Sequence, residues 1–287
     1  MKNILRFSFL ILFCNQLYSQ QIVNFEDYNY YLQYSSKILF DQKSVNPVNA
    51  GDSLRLKCGL NITNLLVGEL AYADYNATFD AFIKPINSGV GFNIDYIDKK
   101  TIKYQHFSAF YNYRIYISDN LRLRIGTELG LFNRKYDFSG LLPSDPALPP
   151  NPNSEITPFV NIGADIEYKI HRFGISFKNQ EQTFAYYDGR NKLILDYGIN
   201  FLLSKAILIS PEIIDLSDFK SNAIVLLSKF TYKDKLILGI LYNSQGYMAF
   251  SISYRFYKKF ELGYDLDYYS KFDGNLYHSI FFKTLIK

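Results

Sequence analysis

Residues 101–138 read TIKYQHFSAFYNYRIYISDNLRLRIGTELGLFNRKYDF, two long segments of period-two alternation joined at Ser118-Asp119-Asn120. In the first segment Phe107, Ala109, Tyr111, Tyr113, Ile115 and Ile117 share one parity, and His106, Ser108, Asn112 and Arg114 share the other. In the second, Leu121, Leu123, Ile125, Leu129 and Leu131 oppose Arg122, Arg124 and Glu128. Successive side chains on a strand point to opposite faces, so this is a hairpin with one apolar wall and one charged wall. Each arm exceeds the five or six residues usual in soluble strands and reaches the roughly 9–11 that cross a bilayer at a tilt. The pattern predicts an all-β fold, a transmembrane antiparallel β-barrel with lipid against its outer wall and a polar lumen. A closed sheet is the one way strands can pair every backbone polar group in hydrocarbon.

The composition agrees. The chain has 287 residues, of which 48% are hydrophobic, enough for one large barrel. After the N-terminus no apolar run reaches the roughly eighteen residues of a helical span, which argues against helical crossings. There are 26 Tyr and 25 Phe and no Trp. A ring with a wet hydroxyl suits both the wall and the interfacial girdles of a barrel. The alternative is a soluble secreted β-sandwich adhesin, whose strands are also rich in Tyr and Phe. Net charge is +4, half of it from Lys2 and Arg6, too small and too evenly spread for a nucleic-acid partner. Two cysteines, Cys14 and Cys58, are too few for a disulfide framework.

Residues 1–19 carry Lys2 and Arg6, an apolar core over residues 7–13, and Leu17-Tyr18-Ser19 before Gln20. That order reads as a secretory signal peptide, with Cys14 inside the leader and Cys58 left as a lone thiol. Residues 20–53 form a non-repetitive lead-in, either a plug-like segment at the barrel mouth or a disordered leader. Within it Asn46-Pro47 and Ala50-Gly51 read as a turn, proline fixing φ and glycine free to take φ > 0.

Residues 54–287 divide into about fourteen strands, an even number as single-chain bacterial barrels require. They fall near 54–66, 69–82, 88–98, 101–117, 120–138, 156–170, 172–182, 192–204, 206–216, 220–232, 234–243, 246–258, 260–270 and 276–286. Every second connection is short: residues 83–87, Ser118-Asp119, His171, Lys205, Lys233 and Lys259. The long ones, residues 139–155, 183–191 and 271–275, all fall on the opposite side, together with short turns near Val67-Gly68, Lys99-Lys100 and Ser244-Gln245. A barrel with both termini in the periplasm accounts for that segregation. The longest loop, SGLLPSDPALPPNPNSE, holds five of the nine prolines and reads as an extended surface segment, either a contact loop for another protein or a solvated excursion.

The lead-in and first strands resemble the PorP/SprF family. Gln33-Tyr34, Asn46-Pro47 and Ala50-Gly51 stand where that family has Q-Y and NPAYAG, and Gly89-Val90-Gly91 is similar to its G-G-V-G-L strand. FSAFYNYRI, LRLRIGTELGLF and Asp145-Pro146 are similar to later strands and to the D-P of its long loop. The family tyrosine after proline-alanine is missing from Asn46-Pro47-Val48-Asn49, and its arginine–tryptophan pair is reduced to Arg55. The resemblance implies an outer-membrane barrel of Bacteroidota that works with the type IX secretion system. It implies as partners secreted or surface cargo proteins, some of them gliding adhesins, and periplasmic peptidoglycan-binding or motor components.

No enzymatic signature accompanies these motifs. His106, His171 and His278 are scattered, without the spacing of a metal site. His278 and Ser279 are adjacent and point to opposite faces, so they are no catalytic dyad; His106 and Ser108 share a face. Gly89-Val90-Gly91 and Gly126…Gly130 lack a following helix, so neither is a nucleotide loop, and no cofactor is expected. Glycine within a strand marks a bend or a close backbone approach. Arg114, Arg122, Arg124, Glu128, Asp165, Glu167 and Lys169 share the polar parity, as solvated or salt-bridged lumen charges or as a selectivity site. Within the barrel architecture a passive or hydrophobic-solute channel is the rival to a secretion component.

Overall fold

The computed structural model describes residues 38–39, 42–51, 56–65, 73–98, 102–136, 155–179, 191–217, 222–244, 246–269 and 275–286. The signal peptide over residues 1–19, Gln33-Tyr34, Arg55 and the proline-rich loop with Asp145-Pro146 lie outside them. Fifteen strands follow in order: β1 Leu56–Leu65, β2 Ala73–Ile83, β3 Ser88–Asp98, β4 Ile102–Ser118, β5 Leu121–Tyr136, β6 Glu155–Tyr168, β7 His171–Lys178 and β8 Lys192–Ile199, then β9 Phe201–Ser204, β10 Ile207–Ser217, β11 Asn222–Tyr232, β12 Leu236–Asn243, β13 Tyr247–Phe256, β14 Phe260–Tyr269 and β15 Asn275–Ile286. Each pairs antiparallel with its neighbours, and β1 pairs β15 along ten residues from Leu56↔Ile286 to Leu65↔Tyr277. The sheet therefore has no free edge, which overturns the open two-layer sandwich. No helix among the described residues is long and apolar enough to cross a membrane.

The barrel has fourteen walls rather than fifteen because β8 and β9 share one position against β10. The sequence reads residues 192–204 as one strand; the structure interrupts it at Asn200, whose N–H donates to Ile170 O. The register of β9 also shifts between Ile207 and Leu208. A second difference concerns a turn. His171 opens β7, and the reversal occurs at Lys169-Ile170, where Lys169 takes the left-handed φ of +54 that closes a two-residue hairpin. Lys169 is thus an exposed turn residue with its ammonium 5.3 Å from the Tyr168 ring, not a lumen charge.

The alternation sorts the two faces. Ile94, Phe107, Ile125, Leu129, Val160, Ile162, Phe250 and Ile280 point outward and are about half exposed. Their neighbours Asn93, Ser108, Arg124, Glu128, Asn161, Asp165 and Ser279 point inward and are buried. Aromatic residues gather on the outer face near both rims, Tyr75 against Tyr96 at one and Tyr254 against Phe256 at the other. An apolar band between aromatic girdles is the surface that a bilayer solvates. Cys58, on β1, is a free thiol.

The inner wall is not uniformly polar. On β8 and β10–β12 the inward residues Ile194, Ile214, Leu216, Val225, Leu227 and Leu241 are almost completely buried. NAIVLLS and LILGIL are apolar on both parities, the mark of strands covered on both faces. What covers them is the chain's own N-terminal side: Ile38, Leu39 and Val45 complete this cluster.

Candidate functional site: the occupied lumen

Residues 42–51 run inside the barrel as two short 3₁₀ turns, η1 Gln42–Ser44 and η2 Pro47–Asn49. The sequence makes η2 locally. Asn46 is extended and its side-chain oxygen accepts from Val48 N–H, while Pro47 takes the first helical position, where its missing N–H costs nothing. Gly51, at φ +61, then turns the chain into a conformation that a side chain would strain.

Inward-facing glycines let η2 approach the wall. Gly126 on β5 and Gly163 on β6 are direct register partners. A Cβ on Gly126 would lie 2.9 Å from Val48 N, and one on Gly163 would collide with the Asn46 amide. Gly89 leaves room for Ala50 O in the same way, while Gly91 lies beside the Lys43 side chain. The strand glycines thus mark a close approach, by a partner that spacing alone does not reveal.

Buried polar side chains then fasten the segment. Asn112 Nδ2 donates to Val48 O at 2.8 Å and to Ala50 O, and its Oδ1 accepts from Gly89 N–H at 3.1 Å. Arg114 donates to Gly51 O with its guanidinium 4.2 Å from the Phe82 ring, and Asp80 accepts from Gly51 N–H. Ser176 Oγ donates to Val45 O at 2.8 Å, Gln42 Nε2 donates to Glu212 at 2.8 Å, and Asn46 Nδ2 lies 3.4 Å from Asp196. Backbone carbonyls cannot stay unpaired away from water, so each contact both holds η2 and satisfies its peptide groups.

The charges on the polar parity divide by burial. Arg124 is fully buried; its Nε donates to both Asp165 oxygens at 2.8 and 3.1 Å. Its Nη2 also pairs with Asp165, lies 2.8 Å from Glu167 and reaches Asn49 Oδ1 at 3.3 Å. The fork therefore ties β5 and β6 to η2 through one planar cation, a bidentate task for which arginine is suited and lysine is not. Arg122 pairs with Glu167 nearer the mouth, where both side chains are about a quarter exposed. Glu128 accepts from Asn161 Nδ2 at 2.7 Å toward the other end of the lumen.

His106 Nδ1 lies 2.8 Å from Asp95 and its ring stacks on Phe159, whereas Ser108 Oγ has no hydrogen-bond partner among the described residues. His171 meets Tyr197 and His278 meets Tyr264, on separate strands. Sequence reading misses Asp80, Gly163, Ser176 and Asp196 as contact residues. Their one signal is a small or polar residue at inward parity, and it acquires meaning only when the register sets them against η2.

Residues 23–283 match the family model described as type IX secretion system membrane protein PorP/SprF. No curated protein matches the chain in sequence. Among solved structures, the CymD monoaromatic hydrocarbon channel is similar at 11% identity and TM-score 0.56, over 85% of this chain and 92% of that one. The Ralstonia pickettii toluene transporter TbuX is similar at 10% identity and TM-score 0.51, over 87% and 93%. A TodX monoaromatic hydrocarbon channel mutant follows at 9% identity and the same TM-score, over 87% and 94%. At such identities the likeness is one of fold.

Proposed function

Because the chain belongs to the PorP/SprF family of type IX secretion system membrane proteins, we propose that it is a non-enzymatic outer-membrane barrel that binds cargo proteins and helps to secrete them or anchor them at the cell surface. The observation that carries this reading is the occupied lumen. A barrel whose interior is bridged by its own residues 42–51 through Asn112, Arg114, Arg124 and Ser176 is built as a rigid platform. Recognition then falls to the connections.

The connections favour one orientation. The short turns at Lys84–Ile86, Asp119-Asn120, Lys169-Ile170, Lys205-Ala206, residues 233–235 and residues 257–259 all lie at one end, and the break from Tyr136 to Glu155 lies at the other. Short turns belong to the periplasmic side of outer-membrane barrels. That end carries exposed Lys84, Lys169, Lys205, Lys233, Lys235, Lys258 and Lys259 against Asp119 and Asp234, which suits an acidic face on a periplasmic peptidoglycan-binding or motor component. The long connections then face the cargo.

The second reading, a hydrophobic-solute channel, draws on what CymD and TbuX are described as carrying. The lumen of this chain speaks against it, because residues 42–51 occupy it through hydrogen bonds to Asn112, Arg114 and Arg124, and its inner wall carries Asn76, Asn93 and Asp95, polar groups that offer a hydrocarbon no apolar surface. Deleting the gene in its host separates the two. The secretion reading expects one or a few type IX cargo proteins to be lost from the surface, with uptake of toluene-like solutes unchanged. Normal display of every such cargo in the deletion strain would refute it.

A further inference from the structure

We propose that one sector of the short-turn rim, formed by the β6–β7, β9–β10 and β11–β12 hairpins, is a binding surface for anionic phospholipid. The three hairpins are consecutive around the barrel, and their ends are tied together: Asn200 N–H donates to Ile170 O at 2.9 Å, and Lys233 N–H donates to Ala206 O at 2.6 Å. Their turns carry Lys169, Lys205, Lys233 and Lys235, all exposed, against the carboxylate of Asp234. None of these four lysines has an ion pair among the described residues. At the opposite rim, by contrast, Lys103 is paired with Asp98 at 4.0 Å.

The side chains around these charges address the membrane rather than the space beyond the barrel end. The Lys169 ammonium lies 5.3 Å from the Tyr168 ring, and that of Lys233 lies 5.1 Å from the Tyr232 ring. Both tyrosines are the last residues of their strands and stand on the outward parity, so each cation is held at the edge of the lipid-facing wall, where head groups begin. Beside them Phe201 and Leu203 add apolar surface, 45% and 70% exposed. Cations over apolar side chains match a molecule that is itself a phosphate over hydrocarbon, whereas an acidic protein face has no use for the apolar half. The backbone gives an independent sign. Lys169 and Lys233 take left-handed φ of +54 and +50, which glycine or asparagine adopts at less steric cost. Lysine there brings charge at the expense of strain, and strained positions gather at functional sites. In the orientation given above the sector meets the inner leaflet, but lipid binding depends neither on that orientation nor on the secretion reading. Lys84, Lys258 and Lys259, on other turns, are left for a protein partner.

The test is native mass spectrometry of the full-length barrel, released from a non-ionic detergent after titration with dimyristoyl phosphatidylglycerol or, separately, dimyristoyl phosphatidylcholine. The native protein should hold the anionic lipid at least about tenfold more tightly than the zwitterionic one. A basic residue beside an anionic head group contributes about fivefold, so Lys169→Asn combined with Lys233→Asn should weaken phosphatidylglycerol binding at least about tenfold and leave phosphatidylcholine binding unchanged. Asparagine accepts a left-handed φ more readily than lysine, so this exchange eases both turns and a folding defect cannot account for the loss, which far-UV circular dichroism checks. Lys169→Arg combined with Lys233→Arg should stay within about threefold of native, and Lys84→Gln, on a turn outside the sector, should bind as the native protein does. The proposal is overturned if the two lipids bind alike, or if the double asparagine variant keeps the native preference. Equal binding of the two lipids, together with capture of a polyglutamate peptide that depends on Lys169 and Lys233, would overturn it in favour of an acidic protein face.

Discussion

Replacing Arg124 by methionine puts the lumen architecture to a quantitative test. Arg124 is fully buried, and the Asp165 side chain beside it is 1% exposed and takes three contacts from the guanidinium. Removing the cation leaves Asp165 desolvated, and taking one partner from a buried pair costs about 3–5 kcal/mol. Glu167 adds little, because it retains Arg122 and is partly wet. The reciprocal change, Asp165→Leu, should cost less, since Glu167 Oε1 still lies 2.8 Å from the Arg124 guanidinium. The double variant should recover most of the loss, because two apolar side chains replace a pair whose attraction barely repays its desolvation. Arg122→Met, in the wetter pair, should cost about 1 kcal/mol or less.

The assay is equilibrium urea unfolding of the barrel refolded in vesicles. Far-UV circular dichroism is the signal, as the chain has no Trp. With a slope of about 1–3 kcal/mol per molar urea, the expected loss of about 3–5 kcal/mol moves the Arg124→Met midpoint by about 1–5 M. An Arg124→Met midpoint within a few tenths molar of native, or a double variant no more stable than Arg124→Met alone, would refute the reasoning.

Three further outcomes follow from the same geometry. Gly126→Val should displace η2, since its Cβ would meet Val48 N at 2.9 Å while the extended strand tolerates valine; a cysteine placed at Val48 should then react with a soluble thiol reagent faster than in the Gly126 background. Asn112→Ala removes the donor to Val48 O and Ala50 O and should weaken protection of residues 47–51 in hydrogen exchange by about 1–3 kcal/mol, leaving global unfolding nearly unchanged. Ile125→Lys should cost about 2–4 kcal/mol in vesicles, whereas Ile156→Lys should cost about 0–1 kcal/mol, because Ile156 stands roughly 30 Å along the barrel axis from the Tyr168 end of β6, beyond an apolar band about 25 Å tall.

The outward face was legible in the sequence and the inward face only in part, for a physical reason. A lipid-facing side chain answers to one solvent, so Phe107, Tyr111, Ile125 and Leu129 announce themselves by parity, and the strand over residues 88–98 is read to its last residue. The turn chemistry of Asn46-Pro47 and Gly51 was legible too, because proline and glycine act within a few residues. The left-handed Lys169 misplaced one turn by two residues, since lysine gives no local sign of a positive φ. The break at Asn200 was hidden because Phe201, Leu202 and Leu203 continue an apolar run.

An inward side chain answers to whatever part of the chain reaches it, and that part can be distant in sequence. Asn46 meets Asp196 across a separation of 150 residues, and Ser176 meets Val45 across 131. Nothing in residues 192–199 states that Asp196 will face an amide, and nothing near Gly126 and Gly163 states that a 3₁₀ turn will lie over both. The apolar inner rows of β11 and β12 carry the same lesson in reverse. Both faces of NAIVLLS are apolar because one meets lipid and the other meets Ile38, Leu39 and Val45, two surroundings that select the same residue types. Continuous hydrophobicity in a barrel strand is therefore informative: where lipid already explains one row, a second apolar row reports protein packed inside, and it locates where the inserted segment rests.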